Sequence, residues 1–414
     1  MDIRRILITA ACLLIISPVQ VLAGEVEVIH WWTSGGESKA LGKLKEIMKD
    51  LGHTWKDSGI TGGGGDHNFS AIKKRVASEN PPTAVQLKGP TIQEWGTIGY
   101  LTEIDEIAKK ENWDKLLPKE VSKIMKYKNK YVAAPVNVHR VNWVWGNTNV
   151  FKNNNIKPPK TLDELWVVAD KLKAKGILPF AQGGQSWQDG TVFELVALAV
   201  GGPEFYRRAF IDLDPMILGG ASMVKVFDHL RRYSSYLAPN RKGLDWDKAT
   251  KLVIDGKAAM QFMGDWAKGE FLLNNLTPEK DFFCFAAPGS DNGYIFTIDS
   301  FVFFKVKGAE KRKAQLALAQ NIMGKDFQKI FNLYKGSIPA RKGVDDPKFD
   351  SCAKKSMTDF QKTALLPSMA HHMSTTDETR EAINELIQKF LNSKMSSKEA
   401  VKSLAAAVKE SQIL

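Results

Sequence analysis

The chain has 414 residues, 43% of them hydrophobic and 25% charged, with a formal net charge of +12. That apolar content is too high for a disordered chain, and the length exceeds what one core fills, so an ordered globular protein of two domains is expected. The lysines are spread along the chain without a nucleic-acid motif, so they read as a solvated surface and no nucleic acid is expected as a partner.

Arg4 and Arg5, an apolar run from Ile6 to Ile16 and a small-residue end at Ala23-Gly24 have the layout of a secretory signal peptide over residues 1–23. The run is too short to anchor the chain across a bilayer, so cleavage after about Ala23 is expected. Cys284 and Cys352 follow the leader. In an oxidising compartment an even pair suggests one disulfide, and without neighbouring histidine pairs they do not suggest zinc. Neither a metal nor a cofactor is expected.

The first predicted element is a short apolar strand from Val26 into Trp31-Trp32-Thr33-Ser34-Gly35-Gly36-Glu37. Two flat aromatic faces beside a carboxylate suit a sugar, whose C–H faces favour rings and whose hydroxyls favour charged partners. The plainer reading is core plus capping box, with Glu37 serving the Ser34 amide. Ala40, Leu41, Leu44, Ile47, Met48 and Leu51 then keep helical spacing. The section that follows reads as loop, with the glycine run Gly62–Gly65 either mobile or facing a sugar. It lacks the lysine and hydroxyl residue of a phosphate loop.

Thr83–Leu87 is a second buried strand, and Lys88 at its end lies where open α/β sheets bind ligands. A hairpin is predicted at Tyr127–Tyr131. It leads into an extended crossing, Val132–His139, and a strand, Val141–Trp145. Ala181–Asp189 is predicted as loop before a helix from Thr191, with Trp187 packing over it in preference to serving as a sugar platform. Leu252–Trp266 is an apolar run, a glycine turn and a strand ending in Gly264-Asp265-Trp266. Tyr294–Lys305 reads as a further strand holding Asp299, a carboxylate that burial makes costly unless it faces a ligand or internal donors. The remainder is mainly helical, with a second crossing at Lys335–Arg341 and a polar segment, Ser368-Met369-Ala370-His371-His372.

Glu37 and Asp299 could serve as the two carboxylates of a secreted carbohydrate-active enzyme. No nucleophile elbow, zinc-protease motif or Cys/His nucleophile pattern accompanies them, so catalysis is not expected.

Taken together, Trp31–Glu37, Gln86-Leu87-Lys88-Gly89-Pro90, Gly256-Lys257-Ala258-Ala259-Met260, Gly264-Asp265-Trp266 and Lys335-Gly336-Ser337-Ile338-Pro339 resemble the periplasmic sugar-binding proteins of ABC importers, most closely the glucose-binding branch. The resemblance covers essentially the whole chain beyond the leader. It implies an α/β, two-lobed periplasmic-binding-protein fold of type II-like topology, each lobe a mixed sheet flanked by helices, joined by multiple hinge crossings. Residues 24–135 plus 295–338 would form one lobe and 136–294 plus 339–414 the other. It implies that Trp31 and Trp32 stack on or flank the pyranose, that Glu37 accepts from hydroxyls and that Lys88, Asp299 and Lys335 give charge-assisted hydrogen bonds. Trp266 would close the opposite side, and His371 would add a polar contact, although the following His372 departs from the family's small residue. The implied partners are a monosaccharide (glucose first, with galactose and mannose as the alternatives) and a membrane permease, met by a periplasmic monomer. On that reading, Trp31→Ala or Asp299→Ala should remove most sugar affinity with little loss of fold.

Overall fold

The structure is a computed structural model that describes residues 24–61 and 66–412. The leader with its expected cleavage point, and the glycine run 62–65, lie outside the described residues.

The opening strand, Glu25–His30, is buried from Val26 onward, as a strand flanked on both sides by parallel neighbours requires. It sits inside a five-stranded sheet in the order Thr54–Gly59, Glu25–His30, Ala84–Leu87, Ser300–Phe303, Ala133–Pro135. The first three strands run parallel and the last two antiparallel to their neighbours. Thr54–Gly59 falls where a loop was expected. None of its residues is buried, so no apolar pattern marks it. As an edge strand it needs only the backbone of Glu25–His30 on one side.

A second sheet has the order Phe282–Ala286, Trp143–Asn147, Ala258–Phe262, Leu178–Phe180. A third joins Ala364–Pro367, Gly293–Thr297 and His139–Arg140. The stretch Tyr294–Lys305, read as one strand, is therefore two. It breaks at Ile298-Asp299, and its halves pair in different sheets. The two predicted crossings pair with each other, Val138 N donating to Ile338 O at 2.9 Å and Ile338 N to Val138 O at 3.1 Å.

Helices flank the sheets and two hydrophobic cores result. One gathers Trp32, Val85, Phe301 and Phe331 with other residues of 26–138 and 294–340. The other gathers Trp145, Phe193, Phe227 and Met260 with residues of 141–287 and the C-terminal helices. Cys284 and Cys352 form a disulfide across 68 residues. It ties the helix Ser351–Lys362 to the edge strand Phe282–Ala286, and a loop of that length corresponds to about 4 kcal/mol in the chain-entropy account. Among the described residues no helix is long and apolar enough to cross a membrane.

Candidate functional site

A cavity of about 250 Å³ lies between the two cores. Seven of the eight residues expected at a sugar site line it: Trp31, Glu37, Lys88, Trp266, Asp299, Lys335 and His371. Trp32, expected beside the sugar, is not among the lining residues. Successive side chains at a strand end point to opposite faces. The Trp32 ring is accordingly buried against Phe301 at 5.5 Å and Phe331 at 5.0 Å between centroids, which makes it a core residue.

Glu37 stands in the first turn of the helix Gly35–Asp50 and serves as its cap while lining the cavity. Ser34 N donates to its Oε2 at 3.3 Å while Glu37 N donates to Ser34 Oγ at 3.4 Å, completing a capping box. Its other oxygen, Oε1, accepts from Lys335 Nζ at 2.8 Å, so the cap and the buried ion pair share one carboxylate.

Lys88 leaves the end of Ala84–Leu87 and its Nζ lies 3.3 Å from Asp299 Oδ1 and 4.8 Å from the Trp31 ring centroid. Burial pulls the Lys88 ammonium below its ordinary range, against the opposing pull of Asp299. Asp299 sits at the break between Gly293–Thr297 and Ser300–Phe303, where a strand passing from one sheet to the other can turn a carboxylate into the cavity. Its Oδ2 receives His139 Nε2 at 2.9 Å and Asn137 Nδ2 at 3.3 Å. Burial alone would raise the Asp299 carboxyl, but Lys88 and His139 outweigh it and hold the group well below the usual carboxylate range. Burial would lower His139, and here Asp265 and Asp299, bound to its two ring nitrogens, prevail and raise it. Asp299 Oδ1 remains buried without a hydrogen bond of good geometry.

The opposite wall is aromatic. The His371 ring centroid lies 5.1 Å from Trp266 and 5.6 Å from Trp187, and Trp266 lies 5.2 Å from His139. Trp187 Nε1 is buried with no hydrogen-bond partner. Burial pushes the His371 imidazole down to about 4, so it is neutral at ordinary pH. The ambiguity between the adjacent histidines resolves geometrically. His372 takes a φ of 60° and turns its Nδ1 to Asp377 Oδ1 at 2.6 Å, leaving His371 on the cavity side.

Sequence reasoning missed His139 and the mouth residues Asp245 to Lys248, and it favoured packing for Trp187. The helix carrying Trp187 begins at Ser186, five residues before the predicted start, which moves Trp187 from a loop to a first turn aimed at the cavity. A polar Asn137-Val138-His139 alternation inside an apolar crossing was the available signal for His139.

A family model described as "Bacterial extracellular solute-binding protein" matches residues 36–328. A Brucella suis protein named "Probable sugar-binding periplasmic protein" is 43% identical over 408 residues, covering 97% of this chain and 96% of that protein. A more distant relative, the glucose-binding protein GlcS of Saccharolobus solfataricus, is 24% identical over 341 residues, covering 76% of this chain and 60% of that one. Among solved structures the bacterial solute receptor AcbH, described as having an exclusive preference for β-D-galactopyranose, superposes with a TM-score of 0.81 at 19% identity, covering 94% of this chain and 99% of that one. That likeness carries the two-lobed fold, and the family match and the 43% relative establish that the chain belongs to the bacterial extracellular solute-binding proteins.

Proposed function

We propose that the chain is the periplasmic receptor of an ABC sugar importer and that it takes one monosaccharide, glucose, into the cavity between its cores. The observation that carries this reading is the cavity itself: aromatic faces opposite a set of internally paired charges, with a buried oxygen (Asp299 Oδ1) that meets Lys88 as an ion pair at 3.3 Å but accepts no well-aligned hydrogen bond, and a buried donor (Trp187 Nε1) with no hydrogen-bond partner among the described residues. Paired charges leave no net attraction for an ion, whereas a polyol supplies both donors and acceptors. The volume of about 250 Å³ is below the roughly 300–1,000 Å³ of sites for larger ligands, which favours a single ring over an oligosaccharide. The residues proposed to hold it are Trp31, Glu37, Lys88, Trp266, Asp299, Lys335 and His371, with His139 and Trp187 added.

On this reading residues 24–135 plus 295–338 and residues 136–294 plus 339–414 are lobes that close about the crossings bridged at Val138 and Ile338. Ligand contacts from both sides shift the population toward the closed form, which the permease meets. The alternative, an enzyme using Glu37 and Asp299, is not favoured. An acid catalyst needs a raised pKa, and Asp299 is held low by Lys88 and His139, while Glu37 is occupied by Lys335 and the cap. Calorimetry and tryptophan fluorescence of the mature protein against glucose, galactose, mannose and maltose test the proposal. Saturable binding strongest for glucose is expected, and no response to any hexose up to millimolar concentration would overturn it.

A further inference from the structure

Behind the aromatic wall lies a buried carboxylate that no contact with the cavity explains. Glu194, on the helix Ser186–Phe210, is 0% exposed. Among the described residues it has no cationic side chain in hydrogen-bond range, and it is instead surrounded by neutral donors. Ser368 Oγ donates to its Oε1 at 2.6 Å, while Tyr206 OH at 2.7 Å and the amide of Met369 at 2.8 Å donate to its Oε2. A buried carboxyl group is tolerated where hydrogen-bond partners surround it. Two of these bonds, from Ser368 and Met369, fix the turn that carries His371, while Tyr206 stands on the same helix as Glu194.

The chain of donors sets the imidazole. A hydroxyl has one proton, and Ser368 spends its proton on Glu194. Ser368 Oγ therefore can only accept from His371 Nδ1, 2.9 Å away. Glu194 Oε1 itself lies 3.6 Å from the same nitrogen and favours a proton there. On the other side of the ring Thr191 Oγ1, whose proton is engaged with Trp187 O at 2.8 Å, likewise can only accept, but it lies 3.5 Å from Nε2. At that distance it competes weakly for the ring proton against Ser368 Oγ at 2.9 Å from Nδ1 with Glu194 behind it.

We infer that Glu194 is a positioning residue which, through Ser368, holds His371 in the tautomer with its proton on Nδ1, so that Nε2 is presented to the ligand as a hydrogen-bond acceptor. Together with Asp299 Oδ1, this gives the cavity two acceptors and selects ligands that offer hydroxyl hydrogens at both, a consequence that rests on the sugar-binding reading above. A group that can only accept, such as a ring oxygen, is repelled by the Nε2 lone pair. Neutrality of the ring follows from its burial, which keeps the arrangement intact through the neutral range.

The tautomer can be read without any ligand. Long-range proton–nitrogen NMR correlation on the mature, nitrogen-15-labelled protein, with the ring assigned through His371→Gln, reports which nitrogen carries the proton. The expected pattern is a protonated Nδ1 and a bare Nε2 in the parent protein, moving toward protonated Nε2 in both Ser368→Ala and Glu194→Gln. Affinity for D-glucose, measured on Ser368→Ala, is expected to fall about tenfold. If Glu194→Gln does not fold, Ser368→Ala, which removes one hydroxyl, decides alone. A protonated Nε2 in the parent, or a ring unchanged in Ser368→Ala, would overturn the inference. The expected tautomer in a protein that ignores every hexose would instead defeat the sugar reading and leave the positioning role standing.

Discussion

The two walls of the cavity do different work with different chemistry. On the wall built by the first core, charges are matched in advance: Lys335 with Glu37, and Lys88 with Asp299. On the wall built by the second core, Trp187, Trp266 and a neutral His371 present flat faces and single polar atoms. On the proposed sugar reading, the first offers strong hydrogen bonds whose charges are already compensated, so a ligand would gain them without having to neutralise anything. The second supplies shape, and its polar atoms discriminate by direction. A site assembled this way couples folding and binding tightly on one side and loosely on the other.

Removing Asp299 should break the charged wall most severely. Asp299→Ala leaves Lys88 and His139 buried opposite an empty position, so beyond the loss of sugar affinity a stability loss of about 3–5 kcal/mol is expected in urea unfolding. This revises the expectation that the fold would be little affected. Next in size, Glu37→Gln keeps a capping side chain but strands the Lys335 ammonium. A loss of about 3 kcal/mol is expected in the same measurement, and a change below 1 kcal/mol would show that the pair contributes little.

Acid should expose the contrast between the walls through two histidines. His371 has a folded pKa of about 4 against 6.5 unfolded. Its contribution is therefore fully present above pH 6.5 and is lost as pH falls toward 4, on the order of 3 kcal/mol in all. His139 is raised, so its contribution is present below 6.5 and lost as pH rises through its folded value. His371→Gln should flatten stability against pH between 6.5 and 4, and an unchanged slope there would count against a buried neutral ring. The smallest effect is reserved for the aromatic wall. Trp187→Phe keeps the packing and removes one donor, and calorimetry should register a loss of about 1 kcal/mol in sugar affinity with stability nearly unchanged.

Much of this was legible in the sequence because the site residues fall at element ends, where Lys88 and Trp266 stand after apolar runs. Glu37 was legible as cap and candidate contact together. Three things were not. Thr54–Gly59 pairs by backbone alone and carries no apolar alternation. The break at Asp299 depends on which sheets the two half-strands join, a choice made by distant partners such as Leu366 and Gln86. Trp32 differs from Trp31 only in which face it turns, and Phe301 and Phe331, which receive it, are some 270 to 300 residues away in sequence.

The shared carboxylate of Glu37 has a further consequence for how such a protein can change. The bond that starts the helix Gly35–Asp50 and the bond that holds Lys335 meet on one side chain. On the proposed sugar reading one carboxylate both caps the helix and faces the ligand, so any replacement other than Gln changes the helix start and the cavity together. On the same reading, variation in sugar choice meets less resistance on the other wall, where Trp187 and Trp266 carry neither an ion pair nor a side-chain helix cap among the described residues.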